Sequence, residues 1–222
     1  MEYIAPISSA TMAIIWVIYL QLLFIQYRRN NRPYLIFHHA QHENPDALCL
    51  LVNMGERAIH IQSVQAAIKM KSGEECEMTV TEFQRVNVME QNVQQKLRQG
   101  PLMNGGYLIL GTFRDIMENT AKENGINVSL NDIETLELRA AAIHAPSKHP
   151  VGARREFMLT HNGKACIFPK QIYTEQLVRR RHKRKVVKWI EAELNPQKIT
   201  KQNLNNEQQS QPLFDAQNKP LK

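Results

Sequence analysis

Apolar letters dominate the opening of the chain. Residues 3–26 carry no charged side chain, and IAPISSATMAIIWVIYLQLLFI (residues 4–25) is apolar almost throughout. Counted from Pro6, twenty residues rising 1.5 Å each make a helix of roughly 30 Å, one bilayer hydrocarbon thickness. The pattern predicts a transmembrane helix over residues 4–27. Pro6 falls near its start, where a missing N–H is tolerated. Tyr27 falls at its far edge, where an amphipathic ring favours the interface. A cleaved signal peptide needs a basic lead, a shorter apolar core and a small-residue cleavage site. Here only Glu2 is charged before the span, so an uncleaved anchor is expected.

After Pro33 the period shortens to two. Residues 34–38 and 47–53 are β-prone runs, the second almost wholly apolar and suited to a strand buried on both faces. Met54-Gly-Glu-Arg57 is a turn signal. Residues 58–70 alternate, with one register change near Gln62-Ser63 that predicts a bulge or a crossing between sheets. Residues 76–83 alternate again. The Gln-rich residues 86–98 fit either a helix or a loop-rich insertion. A strand is expected at 107–112, then a helix at 113–123 closing on Asn124-Gly125. Ser129 and Asp132 loosely match a capping box. Residues 134–144 alternate, and residues 154–161 and 164–168 form a hairpin around Asn162-Gly163.

Seven or eight short strands separated by turn signals predict a mainly β domain, an antiparallel sandwich, over residues 33–169. Their order resembles Ig-like sandwiches tethered by a single helix. That resemblance rests on pattern alone. The Cys…Trp…Cys signature is missing, because Trp16 and Trp189 both lie outside the region. An α+β domain is the alternative, since two helices interrupt the strands.

Pro169 ends the last strand, and residues 170–195 read as a basic amphipathic helix stopped at Asn195-Pro196. Val186, Val187, Ile190 and Leu194 share one face that can dock, with Trp189 flanking it. Arg179, Arg180, Arg181, Lys183, Arg184 and Lys185 go all the way round, so no core can accept them. With Lys188 they make the candidate anion-binding set. Residues 196–222 are rich in Gln and Asn, which predicts a disordered tail.

Charge sharpens this picture. The chain has 222 residues and a net charge of +7, and residues 179–188 hold seven Lys or Arg and no acid. The rest therefore balances, and the basic character belongs to one segment. Arg28, Arg29 and Arg32 follow the apolar run and no Lys or Arg precedes it. The positive-inside rule puts the later residues in the cytoplasm and the N-terminus outside, at the inner membrane if the cell is bacterial. A cytoplasmic location voids the sequon at Asn127. Three readings of the basic run compete: a solvated helix, contact with the anionic cytoplasmic leaflet, and nucleic acid. The leaflet is favoured over nucleic acid by the anchor and by the lack of aromatic interleaving.

The chemistry is sparse. Cys49, Cys76 and Cys166 make an odd count without a C-x-x-C, which disfavours a disulfide framework. Cys49 reads as a buried thiol. Gly100, Gly105, Gly106 and Gly111 do not open a helix after a strand, as a phosphate loop would. His38, His39 and His42 sit at a strand end, where neighbours point oppositely. His144, His149, His161 and Cys166 would bind a metal only if they converged at one end of the sandwich. No catalytic residue, cofactor or metal ligand is assigned. The expected role is a membrane-anchored binding or scaffold module with the bilayer and a protein as partners. The alternatives are a metal-dependent enzyme built on residues 144–166 and a nucleic-acid-binding membrane protein.

Overall fold

The structure, a computed structural model, describes residues 4–40, 43–80, 99–161 and 164–194. Helix α1 (Ile4–Asn30) ends in Arg28 and Arg29, cations that complement the negative end of the helix dipole. Its segment Ser8–Asn30 is long and apolar enough to cross a membrane, and none of it is buried against the rest of the chain.

The domain is mainly β, in two antiparallel sheets. The smaller is built from β1 (Leu35–Ala40), β2 (Leu48–Asn53) and, beyond an intervening stretch, the strand Tyr107–Thr112, in the order first, second, third. The larger contains β3 (Ile59–Met70), β4 (Glu75–Thr79) and β5 (Gly100–Leu102). With Tyr107–Thr112 as β6, it continues through β7 (Ile133–Ile143), β8 (Val151–His161), β9 (Ala165–Pro169) and β10 (Glu175–Leu177). Its order is β10-β8-β7-β3-β4, with β5 beside β3 and β9 beside β8. Strands β9 and β10 are two pieces of one edge, pairing with successive parts of β8.

Alternation explains the packing. Phe37, Leu51 and Leu110 of the small sheet and Ile61, Leu138 and Phe157 of the large one belong to a single buried cluster. Helix α2 (Phe113–Glu123), started by the Thr112 hydroxyl accepting from the Asp115 N–H, adds Phe113, Ile116 and Met117 to it. The rings of Phe113 and Phe157 meet edge to face, 4.9 Å apart. The register break expected near Gln62-Ser63 is present, between Ile61 and Ser63 in the β3–β7 pairing. Beyond that break both faces of β3 are buried from Ser63 to Ala66, because a helix covers the outer face there.

That helix departs from expectation. The basic helix begins at Lys183, not near Ile172: Glu175–Leu177 is β10, and Arg180–His182 is one 3-10 turn. Pairing with Gly152, Ala153 and Arg154 of β8 draws these residues into the sheet, overriding their local helical preference. Helix α3 (Lys183–Leu194) then lies on the outer face of the large sheet. Val186 and Trp189 are buried there with Ala141 and Leu177. Trp189 is thus the centre of the docked face, not its flank. The buried Gln65 side chain donates to the Trp189 carbonyl at 2.8 Å. Residues 1–3, 41–42, 81–98, 162–163 and 195–222 lie outside the description. They include His42, the Gln-rich insertion, the Asn162-Gly163 turn and the tail.

The edges of the two sheets are joined by side chains. Gln176 accepts from the Leu35 N–H and donates to the Leu35 carbonyl, and Thr174 accepts from the Phe37 N–H. Arg155 donates to the Phe37 carbonyl. These groups satisfy the free edge of β1, which would otherwise be open for pairing.

Candidate functional site

Antiparallel pairing sorts the turns into two ends. One end carries the start of β1, the β2–β3 turn, the β5–β6 turn, the β7–β8 loop and the exit from β10. Helix α1 stops only four residues before β1. Four residues span at most about 14 Å, so this end of the domain is held close to wherever α1 emerges. The linker is also packed. Pro33 is buried, Met54 N–H donates to the Tyr34 carbonyl at 2.8 Å, and a Cβ at Gly55 would sit tightly, 3.2 Å from the Tyr34 nitrogen and 3.3 Å from the Arg32 carbonyl.

The rim at this end is both apolar and basic. Tyr34, Met54, Met103, Tyr107, Ile143 and Val178 are 38–63% exposed. Elsewhere in the domain only Leu48, Met158, Ile172 and Tyr173 are comparably exposed among the described residues. Arg28, Arg29, Arg32, Arg57, Lys148 and Arg179 are exposed around the same rim. Between the helix end and the domain lies a groove of about 940 Å³. Arg28, Arg29, Arg32 and Arg179 line it beside Tyr34, Met54 and Val178, and Glu56 is its one carboxylate. The opposite end holds most of the domain's acids, interspersed with Lys69, Lys71, Arg114, Lys122 and Lys164. Glu43, Asp46, Glu74, Glu75, Asp132 and Glu134 occupy its turns, and Asp115 and Glu118 lie on α2.

The expected anion-binding residues divide. Arg179, Arg180, Arg181 and Lys183 stand at the rim and are exposed. Arg184 and Lys188 are exposed on α3, farther along the sheet's outer face. Lys185 is exposed as well, but its ammonium lies 5.7 Å from the Trp189 ring centroid, and Arg139 approaches the same ring at 5.8 Å. Burial first, then Arg154 and Arg139, lower the Lys185 pKa, partly opposed by Glu137 and Glu175. Sequence reasoning took Arg28, Arg29 and Arg32 only as orientation signals. The available clue to their place on the groove was the shortness of the stretch from Arg32 to β1.

Asn53 organises the rim. It is fully buried, and its amide donates to the carbonyls of Arg57 and Leu102 at 2.8 and 2.9 Å and of Met103 at 3.2 Å. Its carbonyl oxygen accepts from the Gly55 N–H at 2.9 Å. One side chain thus ties the β2–β3 turn to the β5–β6 turn.

The histidines and cysteines do not converge. His144 and His149 lie at the rim, whereas His161 and Cys166 lie at the far end of β8, paired with Ala165 and Thr160 respectively. The eleven residues of β8 separate the two pairs by roughly 33 Å. Among the described residues no group of three or more His, Cys, Asp or Glu is placed to hold a metal ion. Cys49 is fully buried, and burial pushes its thiol far up. His38 and His39 point oppositely, and the buried His39 Nδ1 has no hydrogen-bond partner.

Two imidazoles give the domain an acid response. Burial is the main cause lowering His39 from its ordinary 6.5, with His38 and Arg155 adding to it; burial and then Arg57 lower His144. Unfolded imidazoles bind protons that these folded ones refuse. The stabilisation is complete above about pH 6.5 and is lost as pH falls through the depressed values. The urea midpoint should fall between pH 7 and pH 5, and His144→Asn should flatten that slope. An unchanged slope would remove His144 from the account.

No protein-family model matches the chain, and neither a curated protein nor a solved structure shows significant similarity to it.

Proposed function

We propose that this is a single-pass membrane protein whose β domain is a binding module pressed against an anionic lipid surface, in the cytoplasm at the inner membrane. The observation that carries the reading is the separation of charge. The rim at the end from which α1 leaves is basic and studded with apolar side chains, with Glu56 the one carboxylate of its groove, whereas the other end mixes carboxylates with lysines and Arg114. A domain polarised in this way orients itself toward anionic headgroups. Each Lys or Arg near such a surface contributes on the order of 1 kcal/mol. Exposed Tyr, Met and Ile at the same rim can enter the interface, as amphipathic and apolar side chains do. The α1 helix supplies the tether, and the positive-inside pattern of Arg28, Arg29 and Arg32 supports the cytoplasmic orientation.

Two antiparallel sheets around one core support an Ig-like scaffold, a fold type suited to binding. A protein partner would reach the domain on the faces pointing away from lipid. The most exposed apolar side chains, Ile172 and Tyr173, lie on its flank, between β9 and β10.

The test uses the full chain in lipid nanodiscs and follows hydrogen exchange in residues 103–107, 143–150 and 178–183. Discs containing phosphatidylglycerol should protect these loops several-fold over purely zwitterionic discs, and 0.5 M salt should erase the difference. Arg179→Gln, Arg180→Gln and Arg181→Gln together should do the same. Exchange indifferent to lipid charge, or a salt-sensitive retention of DNA that exceeds lipid binding, would overturn the reading.

A further inference from the structure

We infer that the groove between the end of α1 and the domain is a binding site for one anionic glycerophospholipid, whose phosphate it takes among four guanidinium groups. The inference rests on the membrane reading above and names the ligand of its rim. Arg28, Arg29 and Arg32 reach the groove from the anchor side, and Arg179 reaches it from the domain side. None of the four has a carboxylate partner among the described residues, which leaves their guanidinium groups open to an anion; Arg57, Arg155, Arg180, Arg181 and Arg184 are likewise without one but do not line the groove. Guanidinium forks match phosphate oxygens in pairs, so unpaired arginines converging from two sides suit a phosphodiester.

The remaining lining favours a lipid over a free anion. Tyr34, Met54, Pro33 and Val178 give the groove an apolar wall, which a hydrated inorganic phosphate does not use. A glycerol backbone and the first acyl carbons do use it. Asn30 adds an amide on the anchor side, while the Gln176 amide, also in the lining, is already bonded to Leu35 and Thr174. The volume of about 940 Å³ accommodates a headgroup with its glycerol and leaves the chains in the bilayer. The groove also lies where such a molecule is at hand, at the point where the apolar span ends and the packed linker begins.

The experiment is native mass spectrometry of the full chain in mild detergent, titrated with phosphatidylglycerol and, separately, with phosphatidylcholine. One phosphatidylglycerol per chain should be retained in preference to phosphatidylcholine. Arg32→Gln with Arg179→Gln should weaken that retention about thirtyfold. Arg184→Gln with Lys188→Gln removes the same charge from exposed positions outside the groove and should leave it unchanged. Equal loss in the two double variants would overturn the site, because binding would then follow net charge. Displacement of the lipid by submillimolar inorganic phosphate would overturn the lipid assignment. Failure of the wider reading looks different: the nanodisc loops would ignore lipid charge while the detergent-solubilised chain still kept its single lipid.

Discussion

Gly152→Val is expected to unseat helix α3 and to cost the domain about 3 kcal/mol. A Cβ at Gly152 would lie 2.8 Å from Val186 Cγ2, 3.0 Å from the Ala140 carbonyl oxygen and 3.2 Å from Trp189 Cζ3. The first contact is closer than real Cβ atoms tolerate, and the second is with backbone that cannot step aside. Valine adds two further carbons at the same place. The sheet cannot yield, since β8 is held by β7 on one side and by β9 and β10 on the other. The helix must therefore lift, exposing Val186 and Trp189 and breaking the Gln65 bond to the Trp189 carbonyl. Trypsin should then cut within residues 179–188 several times faster than in the parent chain, and urea unfolding should show the lost stability. Gly152→Ala should fall between the two, because Val186 can give a little. A valine variant with parental stability and parental trypsin resistance would refute the docking of α3.

That glycine marks the limit of what the pattern of letters reveals. The anchor, the alternating strands, the β3 register break and the helix after β6 are local features, written in residues close together in sequence. Helix α3 is different. Residues 172–182 have no glycine or proline and read as helix, yet Glu175–Leu177 pairs with β8, a strand some twenty residues earlier. Only the partner's position decides that contest. The run Ala140, Ala141, Ala142 likewise looked like ordinary alternation. Its middle member faces outward, where a larger side chain would block α3. The basic set was visible as charge, but its division between rim and helix depends on which face of α3 meets the sheet. The arginines after α1 and those after β10 are about 150 residues apart, and only the closure of β1 against β10 through Thr174 and Gln176 brings them to one groove.

Asn53→Ala is the second large effect, about 3 kcal/mol of lost stability concentrated at the rim. The two amide N–H donors, shared among three carbonyls, contribute roughly 1 kcal/mol net each, and the buried Gly55 N–H would be left without its acceptor. Alanine also leaves a gap in a position that is fully enclosed. The informative companion is Asn53→Asp, which keeps the shape and changes the chemistry. Its carboxylate would still accept from Gly55 but would point acceptors at the carbonyls of Arg57, Leu102 and Met103. At neutral pH it should be at least as damaging as alanine, and acid should relieve it in part by protonating the carboxyl. The damage should be local as well as global. Exchange should accelerate first in residues 53–58 and 102–106, while the β7–β8 pairing keeps its protection until the domain unfolds as a whole. The β2–β3 turn, which Asn53 ties to the β5–β6 turn, shapes one side of the headgroup groove through Met54, Gly55 and Glu56. Both substitutions should therefore weaken retention of the bound phospholipid although neither removes a charge-bearing arginine. A fully stable Asn53→Asp at pH 7 would mean that shape alone, and not the donated hydrogen bonds, holds the two turns together.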